Sequence, residues 1–332
     1  MTITAKPLEL VCPAGTPAAL HAAVDAGADA VYCGFRDETN ARNFPGLNFN
    51  ARELQDGIRY AHGRRTRVLV AINTFPRAGA LDLWHRAVDD AAGFGADAVI
   101  LCDIGLLDYA ARRHPGLRLH LSVQAAASTP DAIGFYTRAF GVKRVVLPRV
   151  LTVEEIAKLT GEIACETEVF VFGGLCVMTE GRCSLSSYAT GKSPNMHGVC
   201  SPPSHISYRE EKGELVSRLG GYTINRIKAG APAAYPTLCK GRFSTSKLTG
   251  HIFEDPVSLN AAALLPALAK AGVTAIKIEG RQRGRAYIES VVRTFRGAVD
   301  ALAAGKPIDT KQLLALAEGQ AETQGAYKKT WR

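Results

Sequence analysis

Short apolar runs alternate with amphipathic, helix-length stretches over most of the chain. Leu8–Cys12, Ala30–Gly34, Val68–Asn73, Ala98–Asp103, Leu117–Gln124, Val142–Arg149, Glu168–Gly173 and Thr274–Gly280 are largely continuous apolar runs. Such runs read as eight strands buried on both faces, as in a parallel sheet. Segments such as Thr16–Ala26, Ala51–Gly63 and Leu81–Phe94 lie between them at helix length, which implies βαβ units with right-handed crossovers. A weak repeat marks the joints. Ala26-Gly-Ala-Asp-Ala-Val, Phe94-Gly-Ala-Asp-Ala-Val, Phe140-Gly-Val-Lys-Arg-Val and Ala271-Gly-Val-Thr-Ala-Ile each set a glycine at a helix end just before a strand. Eight such strands predict an α/β fold, a TIM-like β/α barrel. No G-x-G-x-x-G follows the first strand, which disfavours a dinucleotide-binding sheet.

The regularity breaks once. Residues 175–270 are rich in Gly, Ser and Pro, with short strand-like pieces at His205–Arg209 and Tyr222–Ile227. So long an excursion between the seventh and eighth strands reads as a functional insert. The predicted organisation is a single barrel over residues 1–305 that carries this insert, with a polar tail over 306–332 capping the barrel loosely.

Composition narrows the class. At 332 residues and 47% hydrophobic content the chain can bury one large core. It has no apolar run of about 18 residues, and its first residues lack a signal-peptide core, so a cytoplasmic location is expected. The formal charge of +9 comes from scattered Lys and Arg. A basic but ordinary surface with an anionic ligand explains that better than a nucleic-acid face. Eight cysteines in such a chain argue for metal or redox chemistry rather than disulfides. Cys12, Cys33, Cys102 and Cys165 sit in or beside apolar runs, where cysteine acts as a small hydrophobe. Cys176, Cys183, Cys200 and Cys239 lie in the insert and have no such explanation.

Their spacing, C-x6-C-x16-C-x38-C, lacks the close pair of most zinc sites. Spacing alone leaves an iron–sulfur cluster, a zinc ion and unligated thiols all open. Barrel chemistry sits at the C-terminal strand ends, which here offer Asn73, Gln124, Arg149 and Glu279 as candidate binding residues. Glu279-Gly-Arg281-Gln-Arg283 follows the eighth strand and opens the last helix. It reads either as an anion clamp, with Arg149 as a second contact, or as a salt-bridge network closing the barrel around Glu279. Ser186-Ser-Tyr-Ala-Thr-Gly-Lys-Ser193 nearly spells a phosphate loop but lacks the first glycine and a preceding strand. Neither G-x-S-x-G nor H-E-x-x-H occurs.

The segment Glu168-Val-Phe-Val-Phe-Gly-Gly-Leu-Cys176-Val-Met-Thr-Glu-Gly-Arg-Cys183-Ser-Leu-Ser resembles the signature of the collagenase-like peptidase family, with Gly174 where that family usually has Ser or Ala. Without a visible nucleophile, peptidase activity is not expected. Cys12-Pro-Ala-Gly, Thr39-Asn-Ala-Arg with Gly46-Leu-Asn-Phe, Val146-Leu-Pro-Arg-Val, Pro236-Thr-Leu-Cys239-Lys-Gly-Arg and Lys277-Ile-Glu-Gly-Arg-Gln-Arg resemble its ubiquinone-biosynthesis branch. That resemblance implies a 4Fe–4S cluster on Cys176, Cys183, Cys200 and Cys239 and a heterodimer with a UbiV-like paralogue. It further implies oxygen-independent hydroxylation of a ubiquinone precursor, with prephenate as oxygen donor. The alternatives are a tRNA or rRNA base hydroxylase of the same family and a non-catalytic cluster-binding scaffold.

Overall fold

The computed structural model describes residues 8–176, 183–192, 194, 199–231, 233, 235–317 and 321–328. Seven parallel strands come first: β1 (Glu9–Pro13), β2 (Ala30–Cys33), β3 (Arg67–Ile72), β4 (Ala98–Leu101), β5 (Arg118–Leu121), β6 (Arg144–Val146) and β7 (Glu166–Gly174). The insert contributes β8 (Ile206–Glu211), β9 (Glu214–Leu219), β10 (Tyr222–Lys228), β11 (Arg242–Ser244), β12 (Thr249–His251) and β13 (Ser258–Asn260), after which β14 (Ala275–Ile278) follows. β14 pairs in parallel with β1, Leu10 opposite Ile276, and with β7, Ile276 opposite Val169. The barrel is therefore closed by eight parallel strands, as the alternation of apolar runs predicted.

Helices α1 (Pro17–Asp25), α2 (Ala51–His62), α3 (Leu81–Gly93), α4 (Ile104–Arg113), α5 (Pro130–Phe140) and α6 (Val153–Glu162) occupy the connections, and a long helix, Arg285–Ala303, follows β14. Local chemistry fixes their starts. Asn50 and Thr152 each cap a helix reciprocally with the glutamate three residues on, Glu53 and Glu155. The repeated glycines Gly27, Gly95, Gly141 and Gly272 all have positive φ (98°, 85°, 68° and 82°), the left-handed turn a side chain resists. That explains why the motif recurs before β2, β4, β6 and β14.

The barrel lining is two-faced. Val11, Ala30, Tyr32, Leu69, Ala71, Ala98 and Ile100, from the first four strands, form an apolar cluster with Ala275 of β14. His120, Arg144, Glu168 and Lys277 are buried on β5, β6, β7 and β14. Arg144 bonds Glu9, Glu166 and Glu168, and Lys277 Nζ donates to Glu168 Oε1 at 2.6 Å.

The insert is more ordered than its composition suggested. β8, β9 and β10 form an antiparallel sheet, and β11 pairs with β12 as a hairpin. β13 then joins the barrel sheet antiparallel to β7. The tail is not loose where it is described: a short strand, β15 (Glu322–Thr323), pairs with β13, and the buried Tyr327 hydroxyl donates to Phe170 O. Among the described residues no helix is long and apolar enough to cross a membrane.

Candidate functional site

The C-terminal strand ends and the insert enclose one cavity of about 880 Å³. Its floor is barrel interior: Tyr32, Ala71, Ile100, Phe170 and Lys277. Arg281, buried beside Tyr32, belongs to that floor, while Asn73, Ser122, Gln124 and Arg149 form one wall and Arg42, Glu279 and Arg283 another. The four insert cysteines, Cys176, Cys183, Cys200 and Cys239, line the same cavity. Every candidate residue from the strand ends and the insert thus meets in one place.

Their individual roles diverge. Asn73 is committed to the fold: its Oδ1 accepts from Ala41 N at 3.1 Å and its Nδ2 reaches Ser122 Oγ at 3.4 Å. Gln124, on a 3₁₀ turn after β5, is 5% exposed, and its Oε1 has no hydrogen-bond partner among the described residues. A buried acceptor left unmatched in a cavity wall suits a ligand donor. Arg149 donates to Gly174 O at 2.8 Å and lies 4.4 Å over the Phe170 ring.

In the arginine loop after β14 the neighbours along the chain take different partners. Arg281 is buried; its Nη1 donates to Asn40 Oδ1 at 2.6 Å and its guanidinium lies 5.4 Å from the Tyr32 centroid. Glu279 instead accepts from Gly174 N at 3.1 Å and stands 3.8 Å from Arg42 Nε, so its ionic partner is Arg42. Arg283 is exposed, its guanidinium 5.2 Å over Tyr287. Burial pushes the Arg281 pKa down to about 10, and the Arg42 charge adds to that. Two glycines make this packing possible. A Cβ at Gly34 would fall 2.5 Å from Asn40, and one at Gly173 would fall 2.4 Å from Glu279 O. At Gly174 a Cβ would sit 3.1 Å from the Glu279 carboxylate, so a larger residue there would crowd that carboxylate.

Sequence reasoning missed Lys277, Glu168, Tyr32 and Arg42. A signal existed for two of them. Lys277 and Glu168 each interrupt an apolar strand run, and a charge buried on a strand needs a partner.

Three of the four cysteines expected in the core are there, and the fourth, Cys165, is half-buried just before β7. Cys12, Cys33 and Cys102 are buried in or beside the strands, and burial pushes the Cys33 thiol up to about 12. The insert thiols are close enough to feel one another. Burial pushes Cys239 up to about 11, with added contributions from Cys200 and Cys176. Burial also raises Cys183, and Cys176 adds to it. Cys200 is exposed as a residue, but its thiol is crowded by protein, which raises it, and Cys183 adds to the rise. Raised thiols are poor nucleophiles until a metal takes their proton, so none resembles an activated protease cysteine. Among the described residues no three His, Cys, Asp or Glu side chains are grouped tightly enough for a single metal ion. Four thiols around one volume are a donor set that fits a cluster, in which each iron takes one thiolate. Ser186–Thr190 lies within helix α7 (Ser184–Thr190), with Cys183 Sγ accepting from Ser186 N, so the first five residues of the near-phosphate-loop segment are helical; Ser193 lies outside the described residues.

A closed β/α barrel with a thiol-lined cavity at its mouth defines the class. Residues 15–329 match the model of peptidase family U32, and the chain belongs to that family. It is 33% identical to "tRNA hydroxylation protein P" of Escherichia coli strain K12, over 94% of this chain and 72% of that one. It is 28% identical to the "23S rRNA 5-hydroxycytidine C2501 synthase" of the same strain, over 91% of this chain and 41% of that one. A "Collagenase" of Porphyromonas gingivalis is 26% identical, over 90% of this chain and 66% of that one.

Proposed function

We propose that this chain is a 4Fe–4S-bearing subunit of a hydroxylase that modifies a planar ring held in the mouth cavity. The observation that carries the reading is the convergence of all four insert cysteines on the cavity whose floor and walls come from the strand ends. Names of similar proteins describe hydroxylation of tRNA and rRNA, which supports hydroxylation as the reaction class. When bound, the cluster supplies one-electron or Lewis-acid chemistry at the roof. Cys176, Cys183, Cys200 and Cys239 would hold it; Gln124 Oε1 would orient a ring donor, and the arginines would hold anionic oxygens. Oxygen-independence and prephenate as the oxygen donor belong to this proposal.

Two rings compete. Phe44, Pro45, Leu47 and Val123 line the cavity and suit the apolar ring of a ubiquinone precursor. The names of the similar proteins speak instead for an RNA base, and they do so more strongly than anything here speaks for the quinone. A UbiV-like paralogue would complete the assembly. Phe135 on α5 is 46% exposed and forms an outward aromatic cluster with Tyr136 and Phe140, a surface suited to a protein partner. The test uses protein purified without oxygen, alone and with the paralogue. It is incubated with prephenate and either a prenylated phenol or unmodified tRNA and rRNA. A hydroxylated lipid ring supports the first substrate and a hydroxylated base the second. Absence of both products with an intact cluster removes the hydroxylase reading and leaves the scaffold.

A further inference from the structure

Two buried cations at the cavity floor have more donors than partners. An ammonium carries three N–H donors. Lys277 Nζ gives one to Glu168 at 2.6 Å and lies 3.7 Å from the centroid of the Tyr32 ring, which covers a second. No acceptor for the third is present among the described residues, and Lys277 lines the cavity. Arg281 carries five donors, gives one to Asn40 and approaches the same Tyr32 ring. Among the described residues Arg281 has no ion pair; Glu279 is engaged by Arg42, and Glu168 is shared between Lys277 and Arg144.

This charge balance is lopsided. The Arg281 charge is buried with no counter-charge in contact, which is costly in a low-dielectric interior. Burial also pulls the Lys277 pKa down against the Glu168 charge, and Arg281 adds to the pull. The Tyr32 hydroxyl donates to Ile278 O at 2.9 Å, and among the described residues both cations meet Tyr32 at its ring. A ligand anion at this point would fill both cations' spare donors at once.

We propose that Lys277 and Arg281 form an anion subsite at the cavity floor that grips the carboxylate of a small organic acid. The ring to be hydroxylated lies above it, nearer the thiols; 880 Å³ is more than one small acid fills. The inference rests on the cavity being the substrate site, but it replaces the Arg281–Arg283 fork with a pair drawn from the barrel interior. A polymer's phosphate would have to pass beneath the insert to reach this floor, so a carboxylate on a small molecule fits better.

Calorimetric titration of the cluster-loaded, anaerobic protein with phenylpyruvate tests it. The neutral 3-phenylpropanol and inorganic phosphate serve as comparison probes, and cluster absorbance and melting temperature are read beside affinity. Lys277→Met and Arg281→Lys should each weaken phenylpyruvate binding by about ten- to a hundredfold with the cluster retained. Lys277→Arg should restore part of the loss. Should Lys277→Met not fold, Lys277→Gln, which keeps a donor for Glu168, decides in its place. Wild-type affinity in a folded lysine variant overturns the subsite. So does equal binding of the alcohol, or displacement of the acid by phosphate. Acid binding without any hydroxylated product leaves the subsite standing and removes the hydroxylase reading; hydroxylation with unchanged acid affinity in the variants does the reverse.

Discussion

The cavity floor is made by barrel strands and its roof by the insert, and cysteine has a different meaning in each. Cys12 and Cys33 lie on β1 and β2, fully buried, where a thiol fills space between strands and helices. Cys176, Cys183 and Cys200 come from irregular chain and Cys239 from a short 3₁₀ turn, and they are brought together only at the cavity. Charge divides the other way. The floor holds Lys277 and Arg281 at fixed positions on or beside β14, whereas the roof offers soft donors. One enclosure thus has a hard, cationic base and a soft, metal-binding lid, and each half can be broken separately.

The largest effect should come from the roof. Cys176→Ala or Cys239→Ala in protein purified without oxygen should abolish the brown colour and the roughly four irons that one cubane brings. Cys33→Ala should keep both. Iron analysis beside the visible spectrum checks this. Iron loss in the Cys33 variant, or stoichiometric zinc without iron in the parent protein, would end the division of the cysteines drawn above.

A smaller but clear effect should come from the floor. Glu168→Leu leaves the Lys277 ammonium buried without its carboxylate, and breaking such a pair costs about 3–5 kcal/mol. Urea unfolding should show that loss. Adding Lys277→Leu should recover much of it, because a buried pair replaced by apolar side chains is often neutral. A single substitution that costs nothing would mean that solvent already serves the floor.

The smallest effect concerns His120 on β5. Burial first, and then the Arg144 charge, hold its pKa well below the usual value. The folded protein therefore keeps His120 neutral while the unfolded chain takes up a proton below about pH 6.5. The unfolded state binds more protons there, so stability is full above that pH. Below it stability declines by at most about 1.4 kcal/mol per pH unit. Comparing urea midpoints of the parent and His120→Gln between neutral and mildly acidic pH isolates this term. Parallel curves for the two proteins would place the acid sensitivity elsewhere.

Much of this molecule was determined locally, by the sequence alone. Burial on both faces leaves an uninterrupted apolar run, and the αL turn before a strand demands glycine, so eight strands and four joints could be read from the chain. The four insert cysteines stood apart because no apolar run surrounded them. The seams within the insert were less legible, since β8, β10, β11 and β12 bury almost none of their residues, and period-two patterning is weak where little is buried. Only the tertiary structure decided what the charges do. Glu279 looked adjacent to Arg281 along the chain, yet strand and loop geometry give it to Arg42, while Arg281 turns inward to Asn40. Residues 32, 168 and 277 meet because β14 closes the barrel between β1 and β7. Periodicity records whether a residue is buried; which side chain it is buried against depends on closure, and closure joins parts of the chain that no local pattern relates.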